Sequence, residues 1–320
     1  MFLPLINGQQ YYLTTKKEFL IFVVLHHMQQ AETKSKISSG ISITDEAFNP
    51  KLSKSYHVSL QVGADGLYYT ILDPQLNKYL VIETYTFQDI HGTHDIVHNM
   101  ESIIARKEIL KLLYKSFSFA VINNKSTLIP NPLYDNEKRT KFLEFNHELE
   151  KEEEVHVDML KNLEAKNLFS LNNEIKNSIK KFHSYAGIHH FSTSLIDSLI
   201  LHYKNQTGKK VVVHVQASHF EVIVLEGKSL IFYNTFKYTS GEDFIYYLLF
   251  VCEQLKLNPE QLELLLTGEI NRDSTIYNLL YKYIRNIKFS ERPEAFHYSG
   301  KFETLPKHFY YNLFSQYLCV

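Results

Sequence analysis

The sequence contains no tryptophan and only two cysteines, Cys252 and Cys319. Two thiols cannot form a disulfide framework, and no Cys/His spacing of a zinc site surrounds them. Both lie in apolar helical patterns, which reads as buried thiols in a reducing compartment, so the expected location is the cytoplasm. No apolar stretch approaches the roughly 20 residues that a membrane-spanning helix needs. Neither sign of charge is in excess: 34 Lys and Arg face 35 Asp and Glu, with a sequence pI near 7.0. No global basic field exists to hold a phosphate backbone, so nucleic acid is not an expected partner. A glycine-lysine phosphate loop and a nucleophile elbow are both missing.

The 320 residues suffice for two lobes, and 22 Tyr with 22 Phe supply the aromatic bulk. Near the N-terminus, residues 19–25 (FLIFVVL) form the one strongly apolar run. Three readings fit it: a packed element of an N-terminal extension, a membrane-associating segment, or residues ahead of a true start at Met28. Residues 1–55 are expected to be an extension, partly disordered, with 28–55 a solvated lead-in.

Ordered structure is expected from Tyr56. Strands at 56–62, 67–73 and 79–87, separated by Gly63–Gly66 and Asp73-Pro74 turns, read as an antiparallel meander. Ile96, Met100, Ile103 and Ile104 recur at helical spacing. Short strands follow at 117–122 and 127–130, then a helix from about Tyr134, an acidic solvated stretch at 148–154, strands within 155–171, and helices near 172–183 and 191–204. The pattern then restarts: strands at 211–215, 220–225 and 229–238, a helix through Phe244, Leu248 and Val251, a strand at 262–266, a helix at 276–287, a short strand at 287–289, and a C-terminal helix from Phe309.

The order β-β-β-α-β-α-β thus occurs twice. It is the unit of the ribonuclease-H-like fold, and two copies make the α/β actin/hexokinase-like (ASKHA) architecture. The lobes are expected at 56–190 and 191–320.

More specific words lie in the second half: NTFKYTSGEDFIYYLLF at 234–250, Asn258-Pro259-Glu260 and LLLTG at 264–268. With the hairpin VGADGLYYTILD and the terminal LPKHFYYNLFSQYLC, the chain resembles the bacterial domain-of-unknown-function family DUF3822 from about residue 50 to the end. The resemblance implies an actin-like ATPase fold with no assigned activity.

In active proteins of that architecture, the first hairpin of each lobe carries Asp-x-Gly, whose carboxylate organises Mg²⁺ waters while glycine admits the phosphates. Here the first hairpin reads Gln61-Val62-Gly63. Asp65 stands at its tip, where Asp commonly satisfies turn backbone. The second reads Gln216-Ala217-Ser218, and the adenosine loop reads Thr267-Gly268-Glu269. Three degenerate loops predict that the usual phosphoryl-transfer chemistry is lost and that no cofactor is held. The expected role is a non-catalytic pseudo-ATPase that binds or scaffolds an unidentified protein partner. The alternative is a divergent ATPase or kinase that uses ATP and Mg²⁺ through Asp65, Asp73 or Glu269.

His91, His94 and His98 share a helical spacing without an obvious acidic partner and read as solvated. His189-His190 precedes Ser192-Thr193, read as a helix cap. Asn234, Phe236, Tyr238, Asp243 and Tyr247 are the candidate partner surface, although capping and core packing account for most of these letters.

Overall fold

The computed structural model describes residues 35–319. The readings offered for residues 19–25 and for a start at Met28 lie outside them.

The meander forms as its alternation demands. Strands β2 (His57–Gly63), β3 (Gly66–Asp73) and β4 (Lys78–Gln88) pair antiparallel. Helix α1 (Thr93–Arg106) returns the chain so that β5 (Ser116–Ile122) lies parallel to β2. Lys36–Thr44, expected within the solvated lead-in, departs from the sequence reading: it is β1 and pairs antiparallel with β4. Its apolar signal is weak because only Ile37, Ile41 and Ile43 turn inward, and the intervening residues are exposed on a sheet edge.

Between β5 and the next unit helix, the chain builds a small separate sheet from β6 (Ser126–Pro130), β7 (Glu153–Met159) and β8 (Ala165–Asn172), ordered β6-β8-β7. The helix expected from Tyr134 is reduced to 3₁₀ turns and the short α2 (Arg139–Glu144). Helix α3 (Asn173–Phe182) and β9 (Gly187–His190), parallel to β5, complete the first unit, whose sheet runs β1-β4-β3-β2-β5-β9.

The second unit repeats the path: β10 (Lys209–Val215), β11 (His219–Glu226), β12 (Ser229–Lys237), α5 (Gly241–Gln254), β13 (Glu263–Gly268), α6 (Thr275–Tyr283) and β14 (Asn286–Phe289). Its sheet order, β12-β11-β10-β13-β14, matches β4-β3-β2-β5-β9 strand for strand. The architecture is the expected α/β, two-unit, actin-like one.

Helix α4 (Phe191–Tyr203) joins the units. It is buried on nearly every side, its polar Ser192, Thr193, Ser194, Asp197 and Ser198 included. Leu195, Leu199 and Ile200 pack with Ala120 from one sheet and with Val212 and Ile223 from the other. The expected C-terminal helix is only α7 (Tyr311–Ser315), followed by a 3₁₀ turn over Gln316–Cys319. Tyr310, at φ 56°, breaks the helix before it lengthens. The segment packs against β2, β3 and α4, with the Tyr79 hydroxyl donating to the Phe314 carbonyl at 2.6 Å. Cys252 is buried in α5 as expected, and burial pushes its thiol up to about 11.

Candidate functional site

The two unit hairpins point toward each other, and their tips touch. The Ser218 hydroxyl donates to the Asp65 carboxylate at 2.8 Å. Asp65 is thereby engaged across the gap between the units, while its carbonyl accepts from Phe87 N at 3.0 Å.

Gln61, the expected stand-in for the carboxylate of an Asp-x-Gly loop, is buried and faces the C-terminal segment. Its Nε2 donates to Gln316 Oε1 at 3.0 Å, and Gln316 Nε2 donates to the Ser118 carbonyl at 3.0 Å and hydroxyl at 2.9 Å. The glycine of this loop serves the sheet: a Cβ on Gly63 would stand 2.8 Å from both Cβ and carbonyl oxygen of Ile122. Replacing Gln316 by Leu removes the acceptor of the Gln61 amide and a donor to Ser118, and is expected to cost about 2 kcal/mol in urea unfolding.

The second hairpin is closed by Gln216 N donating to His219 O at 3.0 Å, and the Gln216 carbonyl accepts the Tyr238 hydroxyl at 2.6 Å. In the third loop Gly268 adopts φ 88°, and a Cβ there would meet the Val215 carbonyl at 2.2 Å. Its N–H donates to His308 O at 3.0 Å, and that of Glu269 donates to Val215 O at 2.8 Å. Main-chain donors that could meet a phosphate are thus spent on protein carbonyls. Glu269 is exposed at the mouth, with its carboxyl beside Asp65 and the Tyr68 hydroxyl and partly shielded by protein. That desolvation, with the Asp65 charge nearby, raises its carboxyl, opposed by the Tyr68 hydroxyl.

The space enclosed by Gln61, Tyr68, His214, Gln216, Glu269 and Asn312 is about 30 Å³. That is room for a water or two; on the other side of the hairpin tips, a groove lined by Gly63, Asp65, Ser218 and Lys237 holds about 470 Å³, within the roughly 300–1,000 Å³ of small-molecule pockets.

Behind the smaller cavity lies a buried polar row that sequence reasoning missed. His214 on β10 and Gln216 just past its end lie across from Glu221 and His219 on β11, on the sheet face that covers α4. Glu221 is fully buried, neither carboxylate oxygen has a hydrogen-bond partner, and His219 Nε2 stands 3.5 Å from Oε1. Burial holds Glu221 well above the usual carboxylate range and lowers His219 to about 4 and His214 to about 3. The signal was legible: polar side chains at every second position of otherwise apolar strands.

The remaining candidates separate. His91, His94 and His98 are exposed, and His94 pairs with Glu174 at 2.8 Å. Among the described residues no group of three His, Cys, Asp or Glu is placed to hold a metal. The cap of α4 is His190, not Ser192 or Thr193: its imidazole accepts from Ser192 N at 3.4 Å and bonds Ser192 Oγ at 2.7 Å. Phe236 stacks on Tyr247 with ring centres 5.1 Å apart, and Tyr238 meets Phe244 edge-on. Asp243 closes a capping box with Ser240. Asn234 stays exposed on β12. Asp73, a carboxylate of the alternative reading, accepts from Gln75 N at 2.9 Å in its own turn.

The fold places the chain beside known proteins. A protein from Bacteroides thetaiotaomicron, with actin-like ATPase fold and unknown function, is 24% identical, covers 76% of this chain and 93% of its own, and superposes at a TM-score of 0.69. The PilM-PilN type IV pilus biogenesis complex contains a chain 10% identical, covering 82% of this one and 98% of its own, at a TM-score of 0.55. A comparison with curated proteins finds no match. The profile of the family described as protein of unknown function (DUF3822) matches residues 45–287, which takes in the hairpin and second-half words but not the terminal one. The chain therefore belongs to the DUF3822 family and carries its resemblance in an actin-like ATPase fold.

Proposed function

We propose that this protein is a non-catalytic, cytoplasmic member of the actin-like fold that acts as a binding or scaffold module for another protein. Residues 56–190 and 191–320 are its two lobes, joined at the start of α4. The observation that carries this reading is that the phosphate-facing groups are already taken: the Gly268 and Glu269 N–H groups bond the His308 and Val215 carbonyls, and Asp65, which with Ser218 lines a groove of about 470 Å³ between the units, is held by the Ser218 hydroxyl at 2.8 Å. Gln61 and Gln216 are neutral, so a polyphosphate with its cation meets no organised carboxylate there. PilM, of the same fold, appears in a complex with another protein, which agrees with a protein-binding role.

The test is direct. Millimolar Mg-ATP is expected to leave the melting temperature unchanged and to be hydrolysed no faster than in buffer. A nucleotide bound about 100-fold below its free concentration would add roughly 2.7 kcal/mol of stability, an easily measured shift. Such a shift, with turnover abolished by Asp65→Ala or Glu269→Gln, would establish the divergent enzyme instead.

A further inference from the structure

Two sheet edges face one another away from the hairpin tips. The order β6-β8-β7 leaves β6 as an edge, and the order β12-β11-β10-β13-β14 leaves β12 as another. Ser126–Leu128 of the first and Leu230–Thr235 of the second line opposite walls of a groove of about 610 Å³. Leu128, Leu230 and Tyr233 pack into the same core cluster and form its floor. The Tyr233 hydroxyl lies 3.4 Å from Ser126 Oγ, which ties the two edges together. At one end, Asn146 Nδ2 donates to Thr127 Oγ1 at 3.3 Å, and the His147 ring bonds the Ser126 carbonyl at 3.1 Å.

Edge strands expose unpaired N–H and C=O groups and are ordinarily guarded by charge, proline or cover. Here the groove lining has no Asp, Glu, Lys or Arg. His147 is its one titratable side chain with basic character, and burial lowers its pKa, so it is neutral at pH 7. A phosphate, a lipid headgroup or a charged side chain would find no counter-charge in it. Main-chain amides would find partners on both walls, with shallow apolar sites at Leu128 and Ile231 for alternate side chains.

We infer that this groove takes an extended, uncharged peptide segment of a partner protein, which pairs as an added strand with β6, β12 or both. The inference rests on the reading of the protein as a binding module and gives that reading a surface. Asn234, a candidate from the sequence, lies on this wall; Phe236, Asp243 and Tyr247 do not.

The probe is a phage-displayed library of short random peptides panned on the full chain, with hits remade as synthetic peptides. Enriched peptides are expected to carry alternating uncharged residues and to slow amide hydrogen exchange in 126–130 and 229–237. N-methylation of alternate peptide amides is expected to abolish binding. Asn234→Lys and Thr127→Lys, which crowd the two edges with charge, should each weaken binding about tenfold or more at unchanged melting temperature. Absence of enriched peptides, protection confined to other segments, or binding indifferent to N-methylation would overturn the groove assignment. None of those outcomes bears on the nucleotide loops, which Mg-ATP tests separately.

Discussion

Acidification is expected to unfold this protein at about pH 5, well above the range where ordinary carboxylates titrate. The cause is a set of buried imidazoles held neutral by desolvation. His190 and His214 are lowered to about 3, and His57 and His219 to about 4. His57 is hydrogen-bonded by Ser116, Ser59 and Ser118, and His190 by Ser192 and the Asn123 carbonyl, neutral partners that suit an uncharged ring. Below the ordinary histidine pKa of about 6.5 the unfolded chain binds protons that the native state refuses, so stability falls as pH falls. Each such histidine costs about 1.4 kcal/mol per pH unit. Four of them over the roughly 1.5 units between pH 6.5 and pH 5 come to about 8 kcal/mol, within the range of a typical total stability. Glu221, Asp197 and Glu269 act in the opposite sense. Their folded pKa values are raised, so the penalty they impose at neutral pH is relieved on acidification. They offset part of the loss, while His147, His156 and His308, also lowered by burial, add to it. Urea midpoints followed by far-ultraviolet circular dichroism at pH 7, 6 and 5 measure the effect; without tryptophan, fluorescence would report only tyrosine. A midpoint independent of pH over that range would mean that these rings titrate freely in the folded state.

Gly268→Ala is expected to destabilise the protein by about 3–5 kcal/mol. A side chain at φ 88° is strained in itself, by about 1–2 kcal/mol. The added Cβ would also meet three backbone atoms of Val215, the nearest at 2.2 Å, and relief requires separating the parallel strands β10 and β13. Gly300→Ala is the control: no atom lies within 4 Å of its built Cβ, and the expected change is within about 0.5 kcal/mol. Urea unfolding of the two variants decides the matter. In nucleotide-binding loops a glycine admits a ligand, and its replacement then costs binding more than folding. If the Gly268→Ala protein were as stable as the native one, the glycine would return to a ligand-admitting role.

Both expectations concern residues whose surroundings come from distant parts of the chain. Gln61 meets Gln316, 255 positions away, and Asp65 meets Ser218, 153 positions away. A sequence reading recognised Gln61 as a neutral substitute in a loop position, because that statement needs only local pattern. It could not tell that the Gln61 amide is bonded by the C-terminal segment. Glu221 shows the same division: its strand was legible, its polar neighbours on the face were countable, but its complete burial depends on α4 lying across the sheet.

Strand alternation, turn glycines and helical spacing are local, and they determined both β-β-β-α-β-α-β units and hence the actin-like architecture. The words shared with DUF3822 fell in those same units. Three matters were decided only in three dimensions: the capture of polar Lys36–Thr44 as an edge strand, the insertion of a separate small sheet after β5, and the engagement of the loops by the two hairpin tips and a C-terminal turn. In each the favourable contact pairs residues far apart in the chain, and no periodicity within either partner records where the other will lie.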